Sequence, residues 1–423
     1  MRSAAALVLA LCLLPSAWIL GLALGGDSLG EVLAQDRQVT LLFRSVRISL
    51  AATLLATLWG AAVAAGLRSL KGALASVLEA LSILPLLLPP IASVMGWVFF
   101  FGANGPCLRL LGWSPNLFSE GGTVLVLSMC YYPCISILLV QGLRSMDPKW
   151  AIVARMQTGR LRTLRHITWP LLAPYAATGA LLVFLLSLSE YGVPCALGVN
   201  VYPVEIFTQM SAYYDMEKAA AFATPPIALA IVLLLLRHLL VSPARPTVGH
   251  RTGAVELHRR PVWALVALPV IAAAVLLPCA VLVMTLRSAS AFPDAIAIAS
   301  DQALSSLLVA SSGTVLLLVS GAVLAGALTQ VARRHLPLAE FLVTLPFVVP
   351  GAAVGLGIIA LYTEGFLPEA IYKGSGAVAY ALMCRLVTLP TLILAAACAA
   401  IDRRMSEAGS RGLRGRRPGP PAA

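Results

Sequence analysis

The residue types that most often carry catalysis or bind metals are few in this chain and lie far apart. Its five histidines form no cluster with carboxylates on one helix face, and its eight cysteines include no CxxC pair. Most of the cysteines fall in apolar segments, where Cys packs as a small hydrophobe. A Walker A phosphate loop, GxxxxGK followed by Ser or Thr, is absent from the sequence. We therefore expect no catalytic residue, no metal site and no cofactor, and we do not expect an enzyme.

One charged side chain stands out by its position. Arg385 is the sole basic residue deep within a predicted apolar span, and a charge inside a membrane is unfavourable enough to suggest a function. It either faces a polar cavity or pairs with Glu190 or Glu364 near the outer side. A purely structural ion pair is the alternative to a role in a solute path.

Two proline pairs, Pro85 with Pro89 and Pro346 with Pro350, lie inside apolar spans. Proline removes a backbone hydrogen bond and bends a helix, and such breaks are tolerated in a membrane where protein or a cavity surrounds them. Their recurrence in both halves of the chain favours a gate in a path. The alternative is a packing kink.

A long polar loop, Gly142–Pro170, has the signals of a short surface helix. Asp147 is an N-cap residue, Pro148 suits the first helical position and Gly159 suits the C-cap. The helix between them is about 16 Å long, and a basic stretch follows it at 160–166. So short a helix suits docking against a soluble partner, and the alternative is a basic helix that rests on lipid headgroups.

The elements that must position these residues are membrane spans. Of the 423 residues, 59% are hydrophobic and 11% are charged, whereas a soluble domain is about 25% charged. Apolar runs of about 20 residues cross a bilayer. We therefore predict an all-α, polytopic transmembrane helical bundle of about ten spans, at 4–24, 45–67, 77–101, 122–143, 171–190, 221–240, 263–286, 303–328, 337–361 and 375–398.

The basic residues predict the orientation of these spans. Most of the 30 Lys and Arg residues fall in alternate gaps and in the tail, which places those segments and both termini in the cytoplasm. The net charge of +12 is then mainly a topology signal, and no nucleic-acid partner is expected. The first apolar stretch is longer than a secretory signal, so we interpret it as a retained first helix.

The two halves of the chain resemble one another. A shift of 261 positions superimposes several pairs of equal residues: Pro85 and Pro346, Pro89 and Pro350, Gly60 and Gly321, Gly96 and Gly357, Glu79 and Glu340. We predict a first repeat at 1–240 with about six spans and the loop 144–170, a cytoplasmic linker at 241–262, and a second repeat at 263–423 with about four spans. Because the repeats run parallel, a transport path is expected at their interface.

These features resemble the fused, two-repeat permeases of bacterial ABC importers that act on iron(III), thiamine, polyamines or phosphonates. The family has a cytoplasmic loop that begins with an EAA triplet and ends with Ile-x-Leu-Pro, and the segment 187–194 resembles its acid-aromatic-Gly segment. By this resemblance the contact with the ATPase subunit is assigned to Ile152, Val153, Ala154, Gly159, Ile167, Pro170, Glu407, Ala408 and Gly409. Glu190 and Tyr191 of the acid-aromatic segment join the proline pairs and Arg385 as residues of a path or gate.

The resemblance implies a division of labour between chains. ATP would be hydrolysed on a separate cytoplasmic subunit, and a periplasmic solute-binding protein would deliver a small solute to this chain in the bacterial inner membrane. An ion-gradient-driven secondary transporter is the alternative, although almost all acidic residues lie at span ends or outside the spans.

The second repeat is expected to be incomplete. After Asp402 the sequence is rich in Gly, Arg and Pro and holds no apolar run, a composition typical of disorder. The expectation is a C-terminally truncated permease with ten spans instead of twelve. A natural shortened form is the alternative, and DNA sequence beyond codon 423 distinguishes the two.

Overall fold

The computed structural model of this chain describes residues 2–70, 72–145, 160–240, 261–284, 291–332 and 334–398. These residues are 86% helical and include no strand, so the predicted all-α class is confirmed. Seven of the predicted coupling positions lie outside the described residues: Ile152, Val153, Ala154, Gly159, Glu407, Ala408 and Gly409.

Twenty α-helices follow one another along the described part of the chain. They are α1 Arg2–Gly25, α2 Ser28–Ala34, α3 Asp36–Ser69, α4 Gly72–Leu87, α5 Pro90–Phe101, α6 Pro106–Leu111, α7 Glu120–Ser145, α8 Arg160–Thr163, α9 Trp169–Leu188, α10 Gly192–Ala196, α11 Tyr202–Ser211, α12 Met216–Leu240, α13 Pro261–Ile271, α14 Leu277–Met284, α15 Ala291–Leu328, α16 Leu336–Val348, α17 Gly351–Thr363, α18 Glu369–Tyr372, α19 Gly376–Leu386 and α20 Thr388–Cys398. A π-helical turn joins α8 to α9 at Leu164–Thr168, and another joins α13 to α14 at Ala272–Leu276.

The lengths and compositions of these helices fit a membrane protein. Eight described helices are long and apolar enough to cross a bilayer, and the number rises to ten if each of two bent helix pairs is one span. This agrees with the predicted bundle of about ten spans. The third span differs from the prediction of 77–101: the candidate span is Pro90–Leu111, which contains α5 and α6, and α4 stands before it as a separate, shorter apolar helix.

Proline explains where the third span is divided. The backbone turns extended at Pro89 (φ −54°, ψ 132°), and Pro90 takes the first position of α5, where no N–H is needed. The Pro89 carbonyl accepts hydrogen bonds from the N–H groups of Ala92 (2.9 Å) and Ser93 (3.1 Å). In the second half, the Pro350 carbonyl likewise accepts hydrogen bonds from the N–H groups three and four residues later, at 3.0 and 3.1 Å. The helices that follow Pro89 and Pro350 thus begin with the same hydrogen-bond pattern.

The described chain forms two compact units, and the larger comprises residues 18–304 and 350–356. Its central helix is α3, which packs against α7, α9 and α13. Small residues allow these close approaches: a Cβ on Gly60 of α3 would lie 2.8 Å from Ile135 Cβ on α7. On α5, a Cβ on Gly96 would lie 2.5 Å from Pro278 Cα on α14.

The smaller unit comprises the described parts of 1–17, 305–349 and 357–423. Here α15 packs against α20, since a Cβ on Gly321 would lie 2.9 Å from the Pro390 ring. The N-terminal part of α1 belongs to this unit: the Tyr380 hydroxyl of α19 donates to the Leu11 carbonyl (2.8 Å). A Cβ on Gly357 would lie 2.2 Å from the Pro15 carbonyl oxygen.

The close glycine contacts follow the internal repeat. Gly60 lies against the helix that contains Pro133, and its equivalent Gly321 lies against the helix that contains Pro390. Gly96 and Gly357 each lie against a proline in the first helix of a repeat. However, Gly96 contacts the first helix of the second predicted repeat, and Gly357 contacts the first helix of the first. Each compact unit therefore combines helices of one repeat with the first helix of the other. The proposed linker at 241–262 lies almost entirely outside the described residues.

Candidate functional site

The predicted coupling loop leaves the bundle between two helices that touch at its base. α7 ends at Ser145 and α8 begins at Arg160. The Ser145 hydroxyl lies 3.2 Å from the Tyr175 hydroxyl of α9. One turn earlier, a Cβ on Gly142 would lie 2.9 Å from the Tyr175 ring. The end of α7 is therefore in close contact with the first two turns of α9.

The end of the predicted loop is helical and continuous with the next span. Ile167 lies half-buried in the π-helical turn, and Pro170 is exposed at the second position of α9. The His166 Nδ1 atom lies 3.1 Å from the Arg162 carbonyl oxygen. The basic stretch is thus helical and continues into the candidate membrane span, which runs from Arg165 to Leu188.

An ion pair not expected from the sequence joins α4 to α7 near the loop. The Arg144 Nη2 atom donates to Glu79 Oε2 at 2.7 Å, and both side chains are partly exposed. Two separate features of the sequence could have indicated this ion pair. Glu79 matches Glu340 in the internal repeat, and Arg144 is a basic residue in the last turn of a helix, where the helix dipole favours a cation.

Glu190 connects three helices at the other end of α9. Its Oε2 atom accepts a hydrogen bond from the Tyr131 hydroxyl of α7 (2.6 Å), and its Oε1 atom accepts from the Gly192 N–H of α10 (3.0 Å). A Cβ on Gly192 would lie 3.6 Å from Ile91 Cβ, one residue past Pro90. The structure therefore brings the predicted acid-aromatic segment and the first proline break together.

Tyr191 contributes packing beside this junction. Its ring lies 4.7 Å from the Phe207 ring, centroid to centroid, and the Cys195 thiol donates to its hydroxyl at 3.3 Å. The contact with Cys195, together with partial burial, raises the pKa of Tyr191 to about 12.

The four prolines of the two breaks differ in burial: Pro346 and Pro350 of the second half are both buried, whereas in the first half Pro85 is buried and Pro89 is exposed.

Arg385 is half-buried in the last turn of α19, next to a bend of 52° between α19 and α20. Within the described part of its own compact unit, Arg385 forms no ion pair, so the suggested pairing with Glu364 is absent. Both carboxylate oxygens of Glu190 accept hydrogen bonds from other partners.

The part of this chain that matches known proteins contains most helices of the candidate site. Residues 56–245 match the family described as "Binding-protein-dependent transport system inner membrane component". The molybdenum transport system permease protein ModB of Mycobacterium tuberculosis, like that of Mycobacterium bovis, is 29% identical over 203 residues, which are 46% of this chain and 77% of ModB.

A second relative is the ferric transport system permease protein FbpB of Actinobacillus pleuropneumoniae. It is 22% identical over 219 residues, which are 49% of this chain and 32% of FbpB. The residues that match the family, 56–245, contain α4, α5, α7 and α9. These are the helices that meet at the proline break and at the base of the loop. The matched part of this chain, residues 56–245, is therefore a permease domain of the binding-protein-dependent ABC importer type, and the apolar helices fit a multi-pass membrane protein.

Proposed function

We propose that this chain carries a small solute across the inner membrane and performs no catalysis itself. An ATP-binding subunit docks from the cytoplasm on the loop 144–170 and hydrolyses ATP, and a periplasmic binding protein supplies the solute from outside. Both termini then face the cytoplasm. The observation that carries this proposal is the chain of contacts from the base of the loop, along α9, to the proline break at Pro89.

The first step of the mechanism is a push on the loop. Residues Ile152, Val153, Ala154 and Gly159 form the docking surface, and Ile167 and Pro170 carry the displacement into α9. Because Gly142 allows α7 and α9 to touch at the base, both helices move together. In the second repeat, Glu407, Ala408 and Gly409 are proposed to take the equivalent role.

The second step is transmission across the membrane. α9 has 20 residues and is about 30 Å long, so it reaches from the base of the loop to Ser189. Glu190 then ties this end to Tyr131 and to Gly192, which lies against Ile91. A shift of α9 therefore reaches α5 directly after the break, where Pro90 has no N–H and the helix angle is least restrained.

The gate itself is proposed to consist of the two proline breaks, Pro85 with Pro89 and Pro346 with Pro350. Their matching hydrogen bonds support a pair of equivalent hinges, one in each repeat. Glu190, Tyr191 and Arg385 line the path or stabilise one state of the gate. The names of ModB and FbpB give molybdenum transport and ferric transport, so soluble molybdenum and ferric compounds are the first solutes to test.

The experiment is a single substitution in the proposed docking helix. Ala154→Glu or Gly159→Glu introduces a bulky charge into the contact and should abolish copurification of the ATP-binding subunit and solute uptake, with unchanged abundance in the membrane. The matched control is Ala103→Glu, an exposed position in the turn between α5 and α6 on the predicted outer side. Undiminished copurification and uptake in the loop variants would overturn the coupling role.

A further inference from the structure

The break at Pro89 has two sides, and the proposed transmission through α9 and Glu190 reaches only α5. The other side is α4, a 16-residue helix about 24 Å long. Glu79 lies near its middle, about 14 Å from the break. The helix is continuous through Pro85 to Leu87, so a displacement of Glu79 is passed along α4 to the break.

The side chain that reaches Glu79 comes from the base of the coupling loop. Arg144 is the last residue but one of α7, and its Nη2 atom lies 2.7 Å from Glu79 Oε2. Helices α4 and α7 also pack against each other directly. The pair thus joins the first residues of the loop to the helix that ends at the break.

Stability alone does not account for this pair. The side chains of Glu79 and Arg144 are 35% and 45% exposed, and an ion pair so exposed contributes little to folding. Nevertheless, an acid occupies the equivalent position of the second repeat, Glu340.

We propose that the Glu79–Arg144 ion pair is a second mechanical link, which transmits displacement of the coupling loop to the α4 side of the proline break. The two residues are positioning residues: they touch neither solute nor ATP. The link rests on the proposed function, since it requires an ATP-binding subunit that pushes on the loop.

The test is a charge exchange on the complex of permease, ATP-binding subunit and binding protein in lipid vesicles. The variants are Glu79→Arg, Arg144→Glu and the double exchange. Each single variant turns attraction into repulsion and is expected to lower the solute transported per ATP hydrolysed by about fivefold. The double variant restores the attraction and should recover most of that ratio. A structural role alone would leave the ratio unchanged.

The chain offers a matched control on the same helix. Glu120, in the first turn of α7, pairs with Arg44 of α3 at 3.2 Å and also with Arg47. Glu120→Arg introduces the same repulsion at the opposite end of α7 and should leave the transport ratio unchanged. Equal loss of the ratio in the control, or no loss in either single variant, would overturn the link.

The failure of this inference can be told apart from failure of the proposed function. Copurification of the ATP-binding subunit is measured on the same samples. If the unmodified permease retains no ATP-binding subunit, the proposed function fails and the link fails with it. If every variant retains the subunit and the transport ratio is unaffected by the exchange, only the link fails.

Discussion

Adding one methyl group at each of two equivalent glycines tests the internal repeat directly. In Gly60→Ala, the new Cβ would lie 2.8 Å from Ile135 Cβ and 3.0 Å from the Tyr132 carbonyl oxygen. In Gly321→Ala, it would lie 2.9 Å from the Cβ and Cγ atoms of Pro390. Carbon atoms pack best at about 3.5–4.0 Å, and neither contact can be relieved by rotation of a flexible side chain.

The helices must therefore move apart at both positions. Overpacking of this kind lowers stability by about 1–3 kcal/mol, which corresponds to a decrease in apparent Tm of about 1–3 °C for a 423-residue chain that unfolds as one unit. Because the geometry is duplicated, the two variants should lose stability to a similar degree. Gly21→Ala and Gly355→Ala are the controls, since a Cβ at either position meets nothing within 4 Å.

The assay follows the reaction of a thiol-specific dye with the detergent-solubilised protein during heating. Five cysteines are buried and become reactive on unfolding, while the exposed ones set the baseline. If Gly60→Ala and Gly321→Ala unfold at the temperature of the controls, the close contacts are wrong. If only one of the two is destabilised, the equivalence of the repeats is wrong.

Three further predictions follow from the candidate site. Arg385→Leu should alter solute uptake per molecule at unchanged abundance in membrane vesicles; reduced abundance with normal uptake would instead indicate a structural role. Tyr131→Phe removes a hydrogen bond to the Glu190 carboxylate and should lower the stability by about 1.5–3 kcal/mol in the dye assay, and an unchanged Tm would show that the bond is not formed. Gly142→Leu should separate α7 from Tyr175 and reduce uptake at least as strongly as Arg385→Leu, and normal uptake would exclude tight packing at the base of the loop.

Some of this fold follows from the sequence because backbone chemistry determines it locally. The break between α4 and α5 was predictable from Pro89, since proline cannot donate the hydrogen bond that a continuous helix requires. The same rule located the break at Pro350. The third span was placed too early, at 77–101, because hydropathy does not distinguish an apolar helix before the break from the span after it.

The packing partners of each helix were not predictable. Lipid is as apolar as Leu, so an apolar face gives no information on whether lipid or another helix covers it. The contacts of Gly96 with Pro278 and of Gly357 with Pro15 depend on shape alone. The Glu79–Arg144 pair was missed for a related reason, because a charged residue at the end of a helix is usually only a topology signal.

The exchange of first helices between the two compact units has a consequence for biosynthesis. Pro15 enters the membrane about 340 residues before its contact partner Gly357 leaves the ribosome. At about 5–20 residues per second, this delay lasts about 20–70 s. Packing of the larger unit is delayed as well, since Gly96 has no contact partner until Pro278 has been inserted into the membrane. Lipid or an insertion factor must occupy these surfaces in the nascent chain, and helices already inserted must stay free to move sideways in the bilayer until late in translation.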